Sequence, residues 1–361
     1  MTISCFSPYC RHYSIPIICP NYYNVIKGVG ASFASDGNID RGDFMGKVMK
    51  GLWNNPYLLL TSSALLWGSN FVLGRVMVEK IPPLHLSLFR WTVGFIVLFP
   101  FVLNQLKRSG TVWRKYRTPL FWMAITGVVG FNALTYLAVQ FTSSINASLF
   151  NSVAPIFIML LSYFFLGEKI LPIQITGVFI SLFGVVWIVF RGDWAALLSL
   201  EFNIGDLIMI VAVLSWAVYS ILSKRYGTVA GERGTFWILM AIGLPFSLLL
   251  GAVEEYYRPL PWSEVSAAEW LCVLYLGIFP AVVAFLFWTR GIQLVGPARS
   301  GVFLHLVMPF AVIIALFLGE TPTWAQGVGA VFVLSGVLMA SHPSQKTLVR
   351  GQAQPSRKSE G

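Results

Sequence analysis

The sequence predicts an all-α polytopic membrane protein, with ten transmembrane helices arranged as two inverted five-helix repeats. Three observations predict it. Only 11% of the 361 residues are charged and 56% are apolar, with a mean hydropathy of +0.71. A soluble domain carries about 25% charged residues, so this chain lacks the charge to cover a large water-facing surface. From Tyr57 onward, ten apolar runs approach the roughly 20 residues that a helix needs to cross a bilayer. One stretch also occurs twice. Shifted by 152 positions, Ser148 falls on Ser300, Phe165-Leu166-Gly167-Glu168 on Phe317-Leu318-Gly319-Glu320, Gln174 on Gln326, Gly177 on Gly329 and Gly184-Val185 on Gly336-Val337. Repetition at a fixed offset makes the chain two copies of one unit.

The first 50 residues differ from the rest. They hold Pro8, Pro16 and Pro20 with scattered Gly, Ser and Asp, and show no helical apolar period. They lack the basic start, continuous apolar core and small-residue cleavage site of a signal peptide. Cys5, Cys10, His12 and Cys19 are residue types found at zinc sites, but their spacing is irregular. Neither a metal site nor a disulfide framework is predicted. Residues 1–50 are expected to be a disordered or misassigned extension, with Met45 or Met49 as the natural start.

The first repeat, residues 51–200, carries the spans Tyr57–Val78, Leu84–Leu103, Pro119–Val139, Ile145–Leu166 and Leu171–Phe190. The second, residues 201–342, carries Asp206–Leu222, Thr235–Val253, Trp270–Thr289, Ser300–Leu318 and Thr323–Ser341. Residues 343–361 form a polar tail. Trp67 aligns with Trp216, Arg75 with Lys224, and Gly127-x-x-Gly130 with Gly277-x-x-Pro280. Five is odd, so the second copy enters the membrane from the opposite side. The halves are then inverted about an axis in the membrane plane, an architecture that recurs in secondary transporters with the substrate near the midplane.

The net charge of +10 could suggest nucleic acid, but the basic residues lie in short loops between apolar runs, and no nucleic-acid partner is expected. With the N-terminus placed in the cytoplasm, seventeen Lys and Arg fall on the cytoplasmic side. Only Lys80, Arg191 and Arg258 fall outside. This bias puts both termini in the cytoplasm of a cell (inner or plasma) membrane. Trp53, Tyr57, Trp113, Trp194, Tyr256, Tyr257 and Trp262 near span ends read as an aromatic belt.

Each half closes on a helix proline, a Leu-Gly-Glu junction and a glycine-spaced helix. The chain also opens with Trp67-Gly68-Ser69-Asn70-Phe71, Gly74-Arg75 and then Phe89-Arg90. In these features it resembles the EamA-type drug/metabolite transporters over about Asn54 to Ala340. The N-terminal extension departs from that pattern, and so does the helix proline, which slips by two between the copies. The resemblance implies a carrier that exports, or less often imports, small metabolites such as amino acids.

Candidate binding residues are the polar and aromatic groups within spans: Trp67, Asn70, Arg90, Asn132, Tyr136, Asn151, Trp216, Tyr219 and His305. An intramembrane ionisable group costs at least about 2.5 kcal/mol on insertion scales, so its default reading is functional. Arg75 lies near a span end and can snorkel, whereas Arg90 is some six residues inside. A lone histidine such as His305 more often packs than binds. Pro155, Pro280 and Pro309 are expected to kink their helices and either shape a central cavity or simply pack. Gly167 and Gly319 suit the left-handed residue after a helix. Glu168 and Glu320 suit the positive start of the next helix. Gly177, Gly184, Gly329 and Gly336 are packing positions, within one chain or across a dimer.

No span offers the paired carboxylates, metal ligands or activated nucleophile of an enzyme, and no phosphate-binding loop marks an ATP-driven pump. The expectation is a secondary transporter without cofactor or metal, whose partners are a small-molecule substrate and the bilayer. Since no Asp or Glu lies mid-span, the substrate is expected to be neutral, zwitterionic or anionic. An amino acid or related carboxylate is the leading class, exported or alternatively imported.

Overall fold

A computed structural model describes residues 51–341 except 108–109, 139, 143, 194, 196–197, 199–202, 318, 320 and 322. The expectations for the N-terminal extension, the C-terminal tail and Glu320 lie outside the described residues. Between Trp53 and Ser341 the described residues are helical, with no strand among them.

The first half contains α1 (Pro56–Met77), α2 (Pro83–Leu106), α3, α4 and α5 (Pro172–Val189). Helix α3 consists of Gly110–Met123 and Phe131–Ala138, joined by a π-type stretch, Ala124–Gly130. Helix α4 is broken into Ser144–Asn151 and Ala154–Leu166. The second half contains α6 (Ile204–Tyr226), α7 (Glu232–Tyr257), α8, α9 and α10 (Trp324–Ala340). Helix α8 joins Ala267–Ile278 to Ala284–Val295 through a π-type stretch, Phe279–Val283. Helix α9 joins Pro297–Gly301 to Val307–Phe317 through a 3-10 turn, Val302–Leu306. Among the described residues, nine helical spans are long and apolar enough to cross a membrane, and Trp324–Ala340 is a shorter apolar helix. The breaks fall at corresponding places in the two halves, in the third and fourth helix of each.

Several helices run past the apolar windows. Helix α3 begins at Gly110 rather than Pro119, and α6 ends at Tyr226 rather than Leu222. The extra turns are basic or aromatic, and such side chains keep their polar tips in the interface while their stems lie along the helix.

The helix pairs reproduce the repeat. Helix α1 packs on α8 and α9, and α6 packs on the equivalent α3 and α4. Helices α2 and α7, and α5 and α10, are equivalent partners that pack on each other. The α5/α10 contact also fixes direction. An added Cβ at Gly177 would lie 2.6 Å from the Gly336 carbonyl oxygen, and one at Gly184 would lie 2.6 Å from that of Gly329. As one number rises the other falls, so equivalent helices run antiparallel and the repeats are inverted. The glycine rows therefore meet within one chain. Around this frame, Phe164 (72% exposed), Leu338 (73%) and Phe317 (85%) face outward, a surface suited to lipid rather than water.

Candidate functional site

The helix breaks disturb the regular ladder of backbone hydrogen bonds, and in a membrane the carbonyls there draw on side chains as well. Three of the sequence candidates supply them. Trp67 Nε1 donates to the carbonyl of Pro280 at 3.2 Å, within the π-type stretch of α8. Asn132 Nδ2 donates to the Val128 carbonyl at 3.1 Å, at the equivalent stretch of α3. His305 Nε2 lies 2.8 Å from the Ser152 carbonyl at the break in α4, and its Nδ1 lies 2.5 Å from Ser181 Oγ on α5. The Ser181 hydroxyl also donates to the Val178 carbonyl at 3.0 Å, so it stands between that carbonyl and the imidazole. Pro155 is the second residue of the segment after the α4 break, Pro280 lies in the α8 stretch, and Pro309 follows the 3-10 turn of α9.

Trp67 and Trp216, equivalent in the two halves, touch each other midway along α1 and α6, with ring centroids 5.4 Å apart. Trp288 lies 5.4 Å from Trp67 and 5.9 Å from Trp216, closing a triangle. Phe285 sits against Trp67, Trp91 and Trp216 at 5.6, 5.4 and 5.5 Å. Tyr219 lies 5.2 Å from Trp216. Its ring fills the space over Gly127, where any Cβ would overlap it. Among the described residues, the buried indole N–H groups of Trp91, Trp216 and Trp288 have no acceptor. The arrangement is a buried aromatic cluster between the halves, with indole donors that no described residue accepts.

Arg90 is buried on α2, about 10 Å of helix from its start. Its Nη1 donates to Asn70 Oδ1 of α1 at 2.6 Å. Its guanidinium carbon lies 5.9 Å from the centroid of the Trp91 ring, which joins it to the aromatic cluster. Beside this pair, the Tyr275 hydroxyl hydrogen-bonds Ser69 Oγ at 2.9 Å. Asn151 is half-buried at the end of the first segment of α4. The Tyr136 side chain lies outside the description. The structure thus gathers Trp67, Trp216 and Tyr219 in one cluster and pairs Asn70 with Arg90. His305 stands apart on Ser152 and Ser181.

Glu168 departs from the sequence expectation. Its carboxylate accepts the Ala298 N–H of α9 at 3.3 Å, in space that Gly296 leaves open, instead of serving the start of α5. Helix α5 is served by Gln174, whose Oε1 accepts the Leu171 N–H at 2.9 Å, and α10 by the equivalent Gln326 on Thr323. Burial pushes the Glu168 carboxyl above its ordinary range, partly offset by the Ala298 N–H and the charges of Lys224 and Arg299. Gly167 and Gly319 do take the left-handed conformation, at φ 64° and 89°.

Sequence reasoning passed over Trp91, Phe236, Phe285 and Trp288, because Trp67 and Trp216 stood out by aligning between the halves and these four rings do not. The spacing of Phe285 and Trp288, three apart and on one helix face, was the available signal.

A family model for EamA-like transporters matches residues 54–190 and 203–342. The chain belongs to the EamA-like transporter family. It is 25% identical over 287 residues to the uncharacterized transporter YyaM of Bacillus subtilis (strain 168), spanning 80% of this chain and 93% of that one. It is 23% identical over 284 residues to the aromatic amino acid exporter YddG of Ancylobacter novellus, spanning 78% of this chain and 96% of that one. One solved crystal structure matches with a TM-score of 0.66 at 22% identity, covering 83% of this chain and 99% of the other. That likeness shows the shared fold. This EamA-like chain is therefore a multi-pass membrane protein of a transporter family, with one family match in each half.

Proposed function

We propose that this EamA-like chain exports a small carboxylate-bearing metabolite, an amino acid or close relative, across the inner or plasma membrane by alternating access. Import by the same route is the alternative. No catalytic role is assigned. The observation that carries the reading is the buried Arg90–Asn70 pair beside an aromatic cluster drawn from both halves. A guanidinium can hold a carboxylate with two parallel hydrogen bonds. The three indole N–H groups without an acceptor among the described residues are donors for further ligand oxygens, and the rings offer an apolar wall for a side chain. The printed name of YddG, an aromatic amino acid exporter, supports the same class. Asp206, buried at the start of α6, accepts from Thr142 at 2.5 Å and from the Asn203 N–H at 2.9 Å. That acid caps a helix end, away from the cluster, which favours a substrate without net positive charge.

The test is counterflow in proteoliposomes with amino acids, organic acids, nucleosides and a lipophilic cation. Exchange of at least one carboxylate-bearing compound is expected. Arg90→Lys keeps the charge but loses the fork, and should lower exchange about tenfold or more at equal protein level, as loss of a charge-assisted hydrogen bond does. Normal exchange by a well-folded Arg90→Lys removes the carboxylate site. Robust transport of the cation alone overturns the substrate class.

A further inference from the structure

The offset of 149 that relates Trp67 to Trp216 also relates His85 to Gly234 and Gln105 to Glu254. These four residues make one equivalent contact at each end of the α2/α7 pair. At one end, the His85 N–H donates to Glu254 Oε2 at 2.8 Å. At the other, the Gly234 N–H donates to Gln105 Oε1 at 2.6 Å. In both, an unpaired N–H in the first turn of one half's helix is satisfied by a side chain from the end of the other half's helix.

The chemistry of the two ends differs. The Gln105–Gly234 contact has nothing to titrate. At the other end, His85 Nδ1 lies 2.9 Å from Glu254 Oε2, and His85 Nε2 lies 2.9 Å from Glu255 Oε2. The side chains of His85 and Glu254 are 7% and 10% exposed, and that of Glu255 is 44% exposed. Glu255 Oε2 also accepts the Leu260 N–H at 3.0 Å. That bond fastens the α7–α8 connection, whose Leu260 packs with Met77, Ile81 and Leu86 in a separate apolar cluster.

An imidazole with a carboxylate oxygen against each nitrogen needs both of its protons. With one proton, one of the two contacts becomes a lone pair facing a carboxylate. The other charged groups described at this end are Arg75 in the last turn of α1, Glu79 and Lys80 between α1 and α2, Arg191 and Asp193 after α5, Asp206 at the start of α6, Arg258 and Glu264 between α7 and α8, and Glu269 on α8. Arg258 donates to the Val78 carbonyl at 3.3 Å, and Lys80 faces Glu269. The ionic contacts of His85 are those with Glu254 and Glu255.

We propose that His85, Glu254 and Glu255 form a pH-sensitive latch between the two halves, at one end of the α2/α7 pair. The latch is complete when the imidazole carries both protons and loosens as the pH at that face rises and one proton leaves. Its consequence for transport rests on the alternating-access reading, in which the two ends of an inverted repeat open in turn. The equivalent contacts then give two gates of one design, and the one built on His85 responds to protons.

The test needs no substrate, so its failure leaves the transport reading standing. Spin labels at Val76 (54% exposed, α1) and Tyr256 (83% exposed, α7) report the separation of the halves at this end. Double electron–electron resonance on the full chain in lipid nanodiscs is compared at about pH 5.5 and about pH 8.5. The longer-distance population should rise on the order of tenfold at the higher pH, the ratio carried by one charge-assisted hydrogen bond. His85→Gln should abolish the shift. Glu255→Gln is a milder variant at a half-exposed site. It should flatten the shift, because an amide can face either form of Nε2. Distances that do not move with pH in the wild type, or a shift that survives Glu255→Gln, overturn the latch.

Discussion

Glu168 shows how a residue can be legible in kind and illegible in partner. A glutamate after a helix-ending glycine announces a helix start nearby, and the sequence neighbour α5 is the natural choice. The carboxylate instead reaches Ala298 across the fold, because Gly296 leaves the space and Gln174 already serves α5. No local pattern carries that information. The consequence is testable. Burial holds the Glu168 carboxyl above its ordinary range in the folded state. Such a group contributes most below its unfolded value, and the contribution is lost as pH rises through the folded value. Glu168→Gln retains an acceptor for the Ala298 N–H and removes the buried charge. It should unfold at the same or a higher temperature than wild type at about pH 8, with the difference shrinking at about pH 5. Thermal unfolding in detergent at both pH values checks this. A variant that melts well below wild type at the higher pH would show that attraction to Lys224 and Arg299 outweighs burial.

Among the elements, α5 and α10 were the most legible, because a seven-residue glycine spacing predicts close helix packing. What the spacing left open was whether the partner lay in the same chain. The third, fourth, eighth and ninth helices were less legible. Prolines lie at the breaks of three of them, but the π-type stretch at Ala124–Gly130 contains no proline. Within it, Tyr219 fills the space over Gly127, a tertiary contact with no local signature. The glycine rows yield a paired prediction. An added Cβ at Gly184 would meet the Gly329 carbonyl oxygen at 2.6 Å and the Val333 nitrogen at 2.7 Å, both backbone atoms that cannot rotate away. At Gly327, on the facing helix, it would meet nothing within 4 Å. Gly184→Ala should therefore destabilise the protein by about 1–3 kcal/mol, as overpacking does. Gly327→Ala should be neutral or slightly stabilising, since alanine favours a helix over glycine. Unfolding of the two variants in one detergent separates them, and equal effects would mean that α5 and α10 do not meet through these glycines.

At the scale of the whole molecule, the inverted repeat was legible from an offset and an odd number of spans. The site between the halves was legible only in part. Trp67 and Trp216 align by sequence, but Phe285 and Trp288 have no aligned partners to draw attention to them. The same symmetry weakens any structural argument about which end faces the cytoplasm. Equivalent contacts close both ends, through Gln105 and Gly234 at one and Glu254 and His85 at the other. Packing thus provides no polarity, and orientation is left to the distribution of Lys and Arg. One face carries Arg114, Lys115, Arg117, Lys169, Arg225, Arg233 and Arg299, and the opposite face carries Lys80, Arg191 and Arg258. Basic loops are retained in the cytoplasm. In a background free of the native cysteines, a membrane-impermeant thiol reagent added to intact cells should therefore label Asp193→Cys and Ser263→Cys. It should reach Lys115→Cys only after the membrane is opened. The reverse pattern would invert the proposed orientation, and would put the His85 latch on the cytoplasmic side without altering its chemistry.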